Sequence, residues 1–328
     1  MAETKVGTAV YRHDLSSLLA ILRLTPEPGG SFPPYKAGQY IALRRNDCRL
    51  TRRIIGEGGK ISYAPDLDAS GVQKRGAVTH SYSISSAPFE TTSHGYLEFY
   101  VILELHETGE PGRLTESLFQ IDTTGDNKIT YFTKIAGDFT LEGRAAGFEN
   151  IVMVGTGTGL APFASMVKQL DAEARSGNAS RSRITLLHAN RTFEELGYNS
   201  ALKTIEREQR FDFVYVPSVS RPTERDRADS TVGKGRANNV LRHIFGMSLR
   251  EEELLSEAKR RGDAVDTATK AVERAVKPEL PSHVSVAGLR ARMNPGSTVI
   301  LTCGNPRGME DIRRIAEAQK IQFEMEEW

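Results

Sequence analysis

Two cysteines and one tryptophan in 328 residues leave little material for several kinds of chemistry. Cys48 and Cys303 lie far apart and form no CxxC or metal-spaced cluster, which argues against a disulfide scaffold, a zinc site or an iron–sulfur cluster held by this chain's own thiolates. Net charge is nearly absent. The 43 Lys and Arg against 42 Asp and Glu leave +1, so nothing draws the whole chain towards nucleic acid or an anionic membrane, and any partner must be chosen by local patches. No run approaches the roughly 18 apolar residues of a membrane span, and the opening stretch MAETKVGTAVYRHD lacks the apolar segment of a signal peptide. The expectation is a cytoplasmic protein with no membrane span and no nucleic-acid partner. The rest of the composition is ordinary: 39% hydrophobic and 26% charged residues can bury a core, and the length suits about two domains.

The chain reads as two unlike parts. Residues 1–147 hold AGQYIAL, HSYSIS, GYLEFYVILEL and NKITYFT, runs rich in Tyr, Val, Ile and Thr between turn residues. They predict a small antiparallel β-barrel domain. Residues 148–328 alternate strand-like and helix-like segments, from IVMVGTGTG and APFASMVKQLDAEARSG to STVILTCGN and GMEDIRRIAEAQK. That grammar predicts an α/β domain on a parallel sheet, with ligands at the carboxyl ends of its strands. Two stretches interrupt the plan. Residues 44–78 include the basic, Gly-bearing RRNDCRLTRRIIGEGGK, and residues 248–277 predict a helical hairpin. In that hairpin Ser248 and Glu251 have capping-box spacing, Gly262-Asp263 form the turn, and Val265, Ala268, Val272 and Val276 give an apolar face.

Gly155-Thr156-Gly157-Thr158-Gly159 stands between a strand and a helix opened by Pro162, where backbone N–H groups can converge on a phosphate that a Cβ would hold away. Leu160 occupies the third glycine position of G-x-G-x-x-G, so this is not that fingerprint, and a structural tight turn is the plainer reading. The strand before it and the helix after it favour the nucleotide. The next strand ends at Arg191 with no acidic residue at its tip, and Ser220-Arg221 follow the strand after. Two guanidiniums and a hydroxyl suit a 2′-phosphate, which favours NADP(H) over NAD(H); two solvated arginines are the alternative.

In order along the chain, Ala37-Gly38-Gln39-Tyr40, His80-Ser81-Tyr82-Ser83, Gly112-Arg113-Leu114-Thr115, the GTGTGLAP loop, Val219-Ser220-Arg221, Cys303-Gly304-Asn305-Pro306 and the final Trp328 resemble the ferredoxin–NADP reductase family, particularly its bacterial ferredoxin/flavodoxin branch. The resemblance covers most of the chain apart from the two interruptions, and it implies FAD as a second cofactor. Tyr82 would stack on the flavin and Ser83 reach towards its N5. His80 stands where the family has an arginine on the pyrophosphate, so that charge would come from Arg113 or the basic stretch. Tyr100 and Val101 match positions whose backbone faces the flavin, and Gly112, Arg113, Leu114 and Thr115 match the turn around the pyrophosphate. Cys303 would lie beside the nicotinamide as a positioning contact, with Gly304 and Asn305 lining its approach. Glu326 and Trp328 match a family glutamate near the flavin and a terminal aromatic that covers it.

The resemblance implies a hydride passed between NADPH and FAD, and single electrons passed to or from a separate carrier, ferredoxin or flavodoxin. Arg44, Arg45, Arg49, Arg52 and Arg53 would offer such an acidic carrier a docking patch, or else form a solvated loop. Three rival readings stay open: the reductase component of an oxygenase, a low-specificity flavin reductase, and a non-catalytic nucleotide-binding subunit of a larger complex.

Overall fold

The computed structural model describes residues 3–56, 59, 61–106 and 109–326. The chain divides into two compact units, Met1–Asp138 and Phe139–Trp328.

The first unit is built from strands β1 (Thr4–Ser16), β2 (Leu19–Pro26), β3 (Tyr40–Arg49), β4 (Thr51–Ile55), β5 (Ile61–Pro65), β6 (Arg75–Ser83), β7 (Leu97–Ile102) and β8 (Lys128–Ala136). Six of them form an antiparallel sheet in the order β6-β3-β8-β1-β2-β7. The sheet curls until its edges meet at a single bridge, Ile84 opposite Phe99. Side chains alternate across a strand, so Leu97, Phe99 and Val101 of β7 turn into one core with Leu22, Ile41 and Leu43, while Tyr100 points the other way.

The basic interruption is narrower than 44–78. Arg44–Arg49 complete β3 and Arg75–Val78 open β6, so only residues 50–74 leave the sheet, as the β4–β5 ribbon with Arg53 opposite Tyr63. The arginine patch shrinks with it. Arg45 is buried and donates to Ser117 Oγ (2.9 Å), the Asp126 carboxylate and the Lys128 carbonyl (2.6 Å). Arg49 forks onto Glu116. Arg45 is therefore an internal strut on the helix Arg113–Phe119, and Arg49 is tied to the same helix from the surface. Arg52 and Arg53 remain exposed on the ribbon and make no ion pair among the described residues.

The second unit carries β9 (Asn150–Thr156), β10 (Arg183–Asn190), β11 (Phe213–Val219), β12 (Gly233–Lys234), β13 (Thr298–Cys303) and β14 (Gln322–Met325). All are parallel, in the order β12-β11-β10-β9-β13-β14. The chain builds outward from β9 on one side, then returns to build on the other. The order therefore reverses between β9 and β13, the place where open α/β sheets take their ligands. The helices Ala237–Phe245 and Pro306–Gln319 cover one face through Val240, Ile244, Ile312 and Ile315.

Residues 248–277 form the expected hairpin, with helices Arg250–Arg261 and Asp266–Arg274 and Gly262 in the left-handed region at the turn (φ 73°). Its cap sits one residue later than expected. Glu252 accepts from the Leu249 N–H, whereas the Glu251 carboxylate accepts from Asn239 Nδ2 at 2.8 Å. The buried Arg242 ties the hairpin's root to the domain by bonding Asp311, Glu253 and the Ser248 carbonyl. A polar anchor of this kind is invisible to hydrophobic periodicity.

His188, on β10, is wholly buried. Its Nδ1 lies 2.9 Å from the Tyr215 hydroxyl, its Nε2 has no partner among the described residues, and burial drives its pKa from 6.5 down to about 3. Between those values the unfolded chain binds a proton that the folded chain refuses, so stability falls as pH drops below about 6.5 and is unaffected by this group above it. Urea unfolding at about pH 7 and pH 5 should show the wild type losing roughly 2 kcal/mol through this residue. His188→Gln should lack that part of the loss; parallel losses in both proteins would refute the assignment.

Candidate functional site

At the reversal point of the second unit, β9 ends in Gly155-Thr156 and passes through one 3-10 turn, Gly157–Leu160, into the helix Ala161–Arg175, with Pro162 in its first turn. Gly157 has φ 57°, which a side chain tolerates poorly. Gly159 has a different reason to be glycine: a Cβ there would lie 2.2 Å from the Cys303 carbonyl oxygen. Gly304 returns the contact, with φ 134° and a virtual Cβ 2.0 Å from Thr156 Oγ1. The Asn305 N–H donates to that same hydroxyl at 3.0 Å. The loops after β9 and β13 therefore touch backbone to backbone and bring Thr156, Gly157, Thr158 and Gly159 beside Cys303 and Gly304. Helix N-terminal N–H groups in such a place favour an anion. Cys303 is buried at the end of its strand. The side-chain oxygen of Asn305 caps the helix Pro306–Gln319, accepting from the Arg307 and Gly308 N–H groups.

The ends of β10 and β11 are zipped together. The N–H of Ser220 and its hydroxyl both donate to the Asn190 carbonyl, and the Arg221 N–H donates to the Arg191 carbonyl at 2.8 Å. The sequence suggested a tip free of acid, but an acid folds back onto it. Glu195, in the turn Phe193–Glu195, is buried and takes both Nε (2.7 Å) and a terminal nitrogen of Arg191. Arg221 is exposed and makes no ion pair among the described residues. Arg225, which the sequence reading did not single out, lies over the Phe193 ring at 3.5 Å and adds a third guanidinium to this edge. The spacing of Arg191 and Glu195 was a legible signal for the pair; the Phe193–Arg225 contact had none.

In the first unit, Tyr82 is half-buried and meets Phe99 edge-on, with centroids 6.4 Å apart and planes at 76°. Burial pushes its hydroxyl pKa well up, so it stays neutral. Ser83, next along β6, is buried, and its Oγ has no hydrogen-bond partner among the described residues, a state that is uncommon for a buried hydroxyl. Tyr100 and Val101 are both buried on β7. His80 is exposed on β6, paired in register with Leu43. Gly112 caps the helix Arg113–Phe119, and its N–H donates to the Glu104 carbonyl. A Cβ on Gly112 would stand 2.8 Å from Thr115 Oγ1, which itself donates to the Gly112 carbonyl. The first bond within this helix runs from Glu116 to Gly112, so the N–H groups of Arg113, Leu114 and Thr115 have no acceptor inside it. Leu114 anchors the turn in the core, and Arg113 makes no ion pair among the described residues. Glu326 is buried just past β14, where its N–H bonds the Thr302 carbonyl; Trp328 lies outside the described residues.

Residues 153–256 match the family described as the oxidoreductase NAD-binding domain. Solved structures match nearly the whole chain. A ferredoxin NADP+ reductase from Neisseria gonorrhoeae with bound FAD and NADP is 18% identical, with 99% of each chain covered and a TM-score of 0.58. The flavohem-like FAD/NAD-binding domain of a nitric oxide dioxygenase from Vibrio cholerae is 16% identical, with 98% of each chain covered and a TM-score of 0.58. The ferredoxin-NADP+ reductase of Plasmodium falciparum is 15% identical, covering 98% of this chain and 96% of its own, with a TM-score of 0.54. At such identities the likeness is one of fold: a curled antiparallel domain followed by a parallel-sheet domain, as the sequence predicted. A search of curated proteins finds no match. Among the described residues, no helix is long and apolar enough to cross a membrane, and no three His, Cys, Asp or Glu side chains gather to hold a metal ion.

Proposed function

We infer that this chain, which carries an oxidoreductase NAD-binding domain within the fold of the ferredoxin–NADP reductases, is an FAD-dependent enzyme moving electrons between NADPH and a one-electron carrier protein. The observation that supports the reading is the buried Ser83 hydroxyl, without a hydrogen-bond partner among the described residues and next to the tyrosine that the family resemblance assigns to the flavin ring. The residues present fit that cofactor. Tyr82 offers a ring face, Ser83 a hydroxyl, and Tyr100 and Val101 strand backbone. The Gly112–Thr115 turn offers three N–H groups and the Arg113 guanidinium to a pyrophosphate, so an arginine at His80 is not required for charge. FAD, when bound, supplies acceptance of an electron pair and its release one electron at a time.

The protein's own share is binding and orientation. Gly155 to Gly159 and the helix opened by Pro162 hold the dinucleotide phosphates. Ser220 and Arg221 receive the 2′-phosphate. Cys303 and Gly304, whose backbone is pressed against Gly159 and Thr156, shape the floor on which the nicotinamide lies. No acid–base residue is needed for a hydride transfer. The exposed Arg52 and Arg53 suit an acidic carrier such as ferredoxin or flavodoxin. The likeness to a nitric oxide dioxygenase domain supports a second reading, in which the acceptor is an oxygenase component.

The test is anaerobic titration of the FAD-loaded protein with NADPH and with NADH, following flavin absorbance. About one FAD per chain and bleaching by a single equivalent of NADPH are expected. A protein that fails to retain added FAD removes the reading altogether.

A further inference from the structure

We propose that Glu195 sets the nucleotide preference by latching Arg191 away from a 2′-phosphate; the inference rests on the nucleotide reading above. Arg191 stands at the tip of β10, where a guanidinium would meet that phosphate. Its Nε and one terminal nitrogen, the fork that grips an oxyanion bidentately, are both committed to the Glu195 carboxylate. Glu195 cannot follow the arginine outward. Its carbonyl accepts from Asn190 Nδ2 at 2.7 Å and its N–H bonds the Thr192 carbonyl, so its backbone is closed onto the strand end, and its side chain is 6% exposed against 30% for Arg191.

A 2′-phosphate arriving at Arg191 has two options. It shares the guanidinium with a carboxylate of its own sign, or it breaks the two-pronged ion pair that a buried carboxylate makes with Arg191, which is costly. A nucleotide with a bare 2′-hydroxyl faces neither. The neighbouring loop offers the opposite case: Arg221, zipped to Arg191 through its backbone, is exposed with no ion pair among the described residues. One cation is open and one is latched, so discrimination between NADPH and NADH is weaker than two arginines would give. Glu195 acts through Arg191 and is thus a positioning residue for specificity.

The pair is more than a brace for the turn, because the turn is already closed by the bond from the Asn190 side-chain amide to the Glu195 carbonyl and by the bond from the Glu195 N–H to the Thr192 carbonyl. If so, loosening the carboxylate frees Arg191 without undoing the loop.

Calorimetric titration of the FAD-loaded full chain with adenosine 2′,5′-bisphosphate and with ADP tests this directly, with no turnover involved. Glu195→Gln should raise the ratio of the two affinities on the order of tenfold, the effect of gaining one charge-assisted contact. Glu195→Asp, which keeps the charge but shortens the reach, should give a smaller rise and guards against misfolding of the first variant. In an Arg191→Ala background, Glu195→Gln should leave the ratio unchanged. An unchanged ratio in the single variants overturns the latch. A rise that persists without Arg191 also overturns it, since Glu195 would then repel the phosphate directly, as does a selective loss of ADP binding, which would place Glu195 on the ribose itself. If the wild-type chain binds neither probe, the nucleotide reading fails before the latch is reached.

Discussion

Replacing Gly159 with alanine is expected to destabilise the second unit by about 3 kcal/mol and to weaken NADP(H) binding on the order of a hundredfold. The new methyl carbon would sit 2.2 Å from the Cys303 carbonyl oxygen and 2.5 Å from the Gly304 nitrogen, both backbone atoms that no rotamer change can move. The loops after β9 and β13 must part, and the hydrogen bond from Asn305 to Thr156 Oγ1 goes with them. Because the proposed phosphate cradle and nicotinamide floor are these same loops, stability and binding should fall in one step. Gly157→Ala is the control. Its neighbourhood is open and only the left-handed backbone (φ 57°) resists a side chain, a cost of about 1–2 kcal/mol. Thermal unfolding and nucleotide titration of the two variants should therefore rank Gly159→Ala as clearly the worse. Equal losses would mean that the close approach at Gly159 does not organise the site.

That junction also shows what a sequence can and cannot disclose here. The glycines after β9 and the Cys303-Gly304-Asn305 run were each visible as loops at strand ends, and a parallel sheet was legible from the alternation of strand-like and helix-like segments. That the two loops press on each other depends on β9 and β13 being neighbours, a pairing across nearly 150 residues that no local pattern encodes. The basic run misled for the same reason. Arg45 and Arg49 looked like surface charge because Asp126 and Glu116 lie 81 and 67 residues further on. Arg191 differs: Glu195 was only four residues away, but the strand-end reading looked at the tip itself and not at the turn that folds back over it. Polar partners chosen by tertiary folding are what periodicity misses, since it registers only which faces avoid water.

Ser83→Ala should move two measurements in opposite directions. Among the described residues the buried Ser83 hydroxyl finds no hydrogen-bond partner, so its removal costs no bond within them, and the variant without FAD should unfold no earlier than the wild type, gaining up to about 1 kcal/mol. In the proposed FAD complex the same hydroxyl is a buried side-chain donor beside Tyr82 on β6. Losing a donor aimed where charge changes during reaction typically costs a factor of about a hundred or more. Rapid-mixing measurement of flavin reduction by NADPH should show a slowing of that order, with FAD affinity reduced far less. Ser83→Thr keeps the hydroxyl and should recover part of the rate if β6 accommodates the methyl group. The combination is what identifies the residue. A hydroxyl that is merely a packing flaw would give the gain in stability with flavin reduction untouched, and one that holds the strand together would give a loss of stability in the flavin-free chain; either result would remove Ser83 from the site.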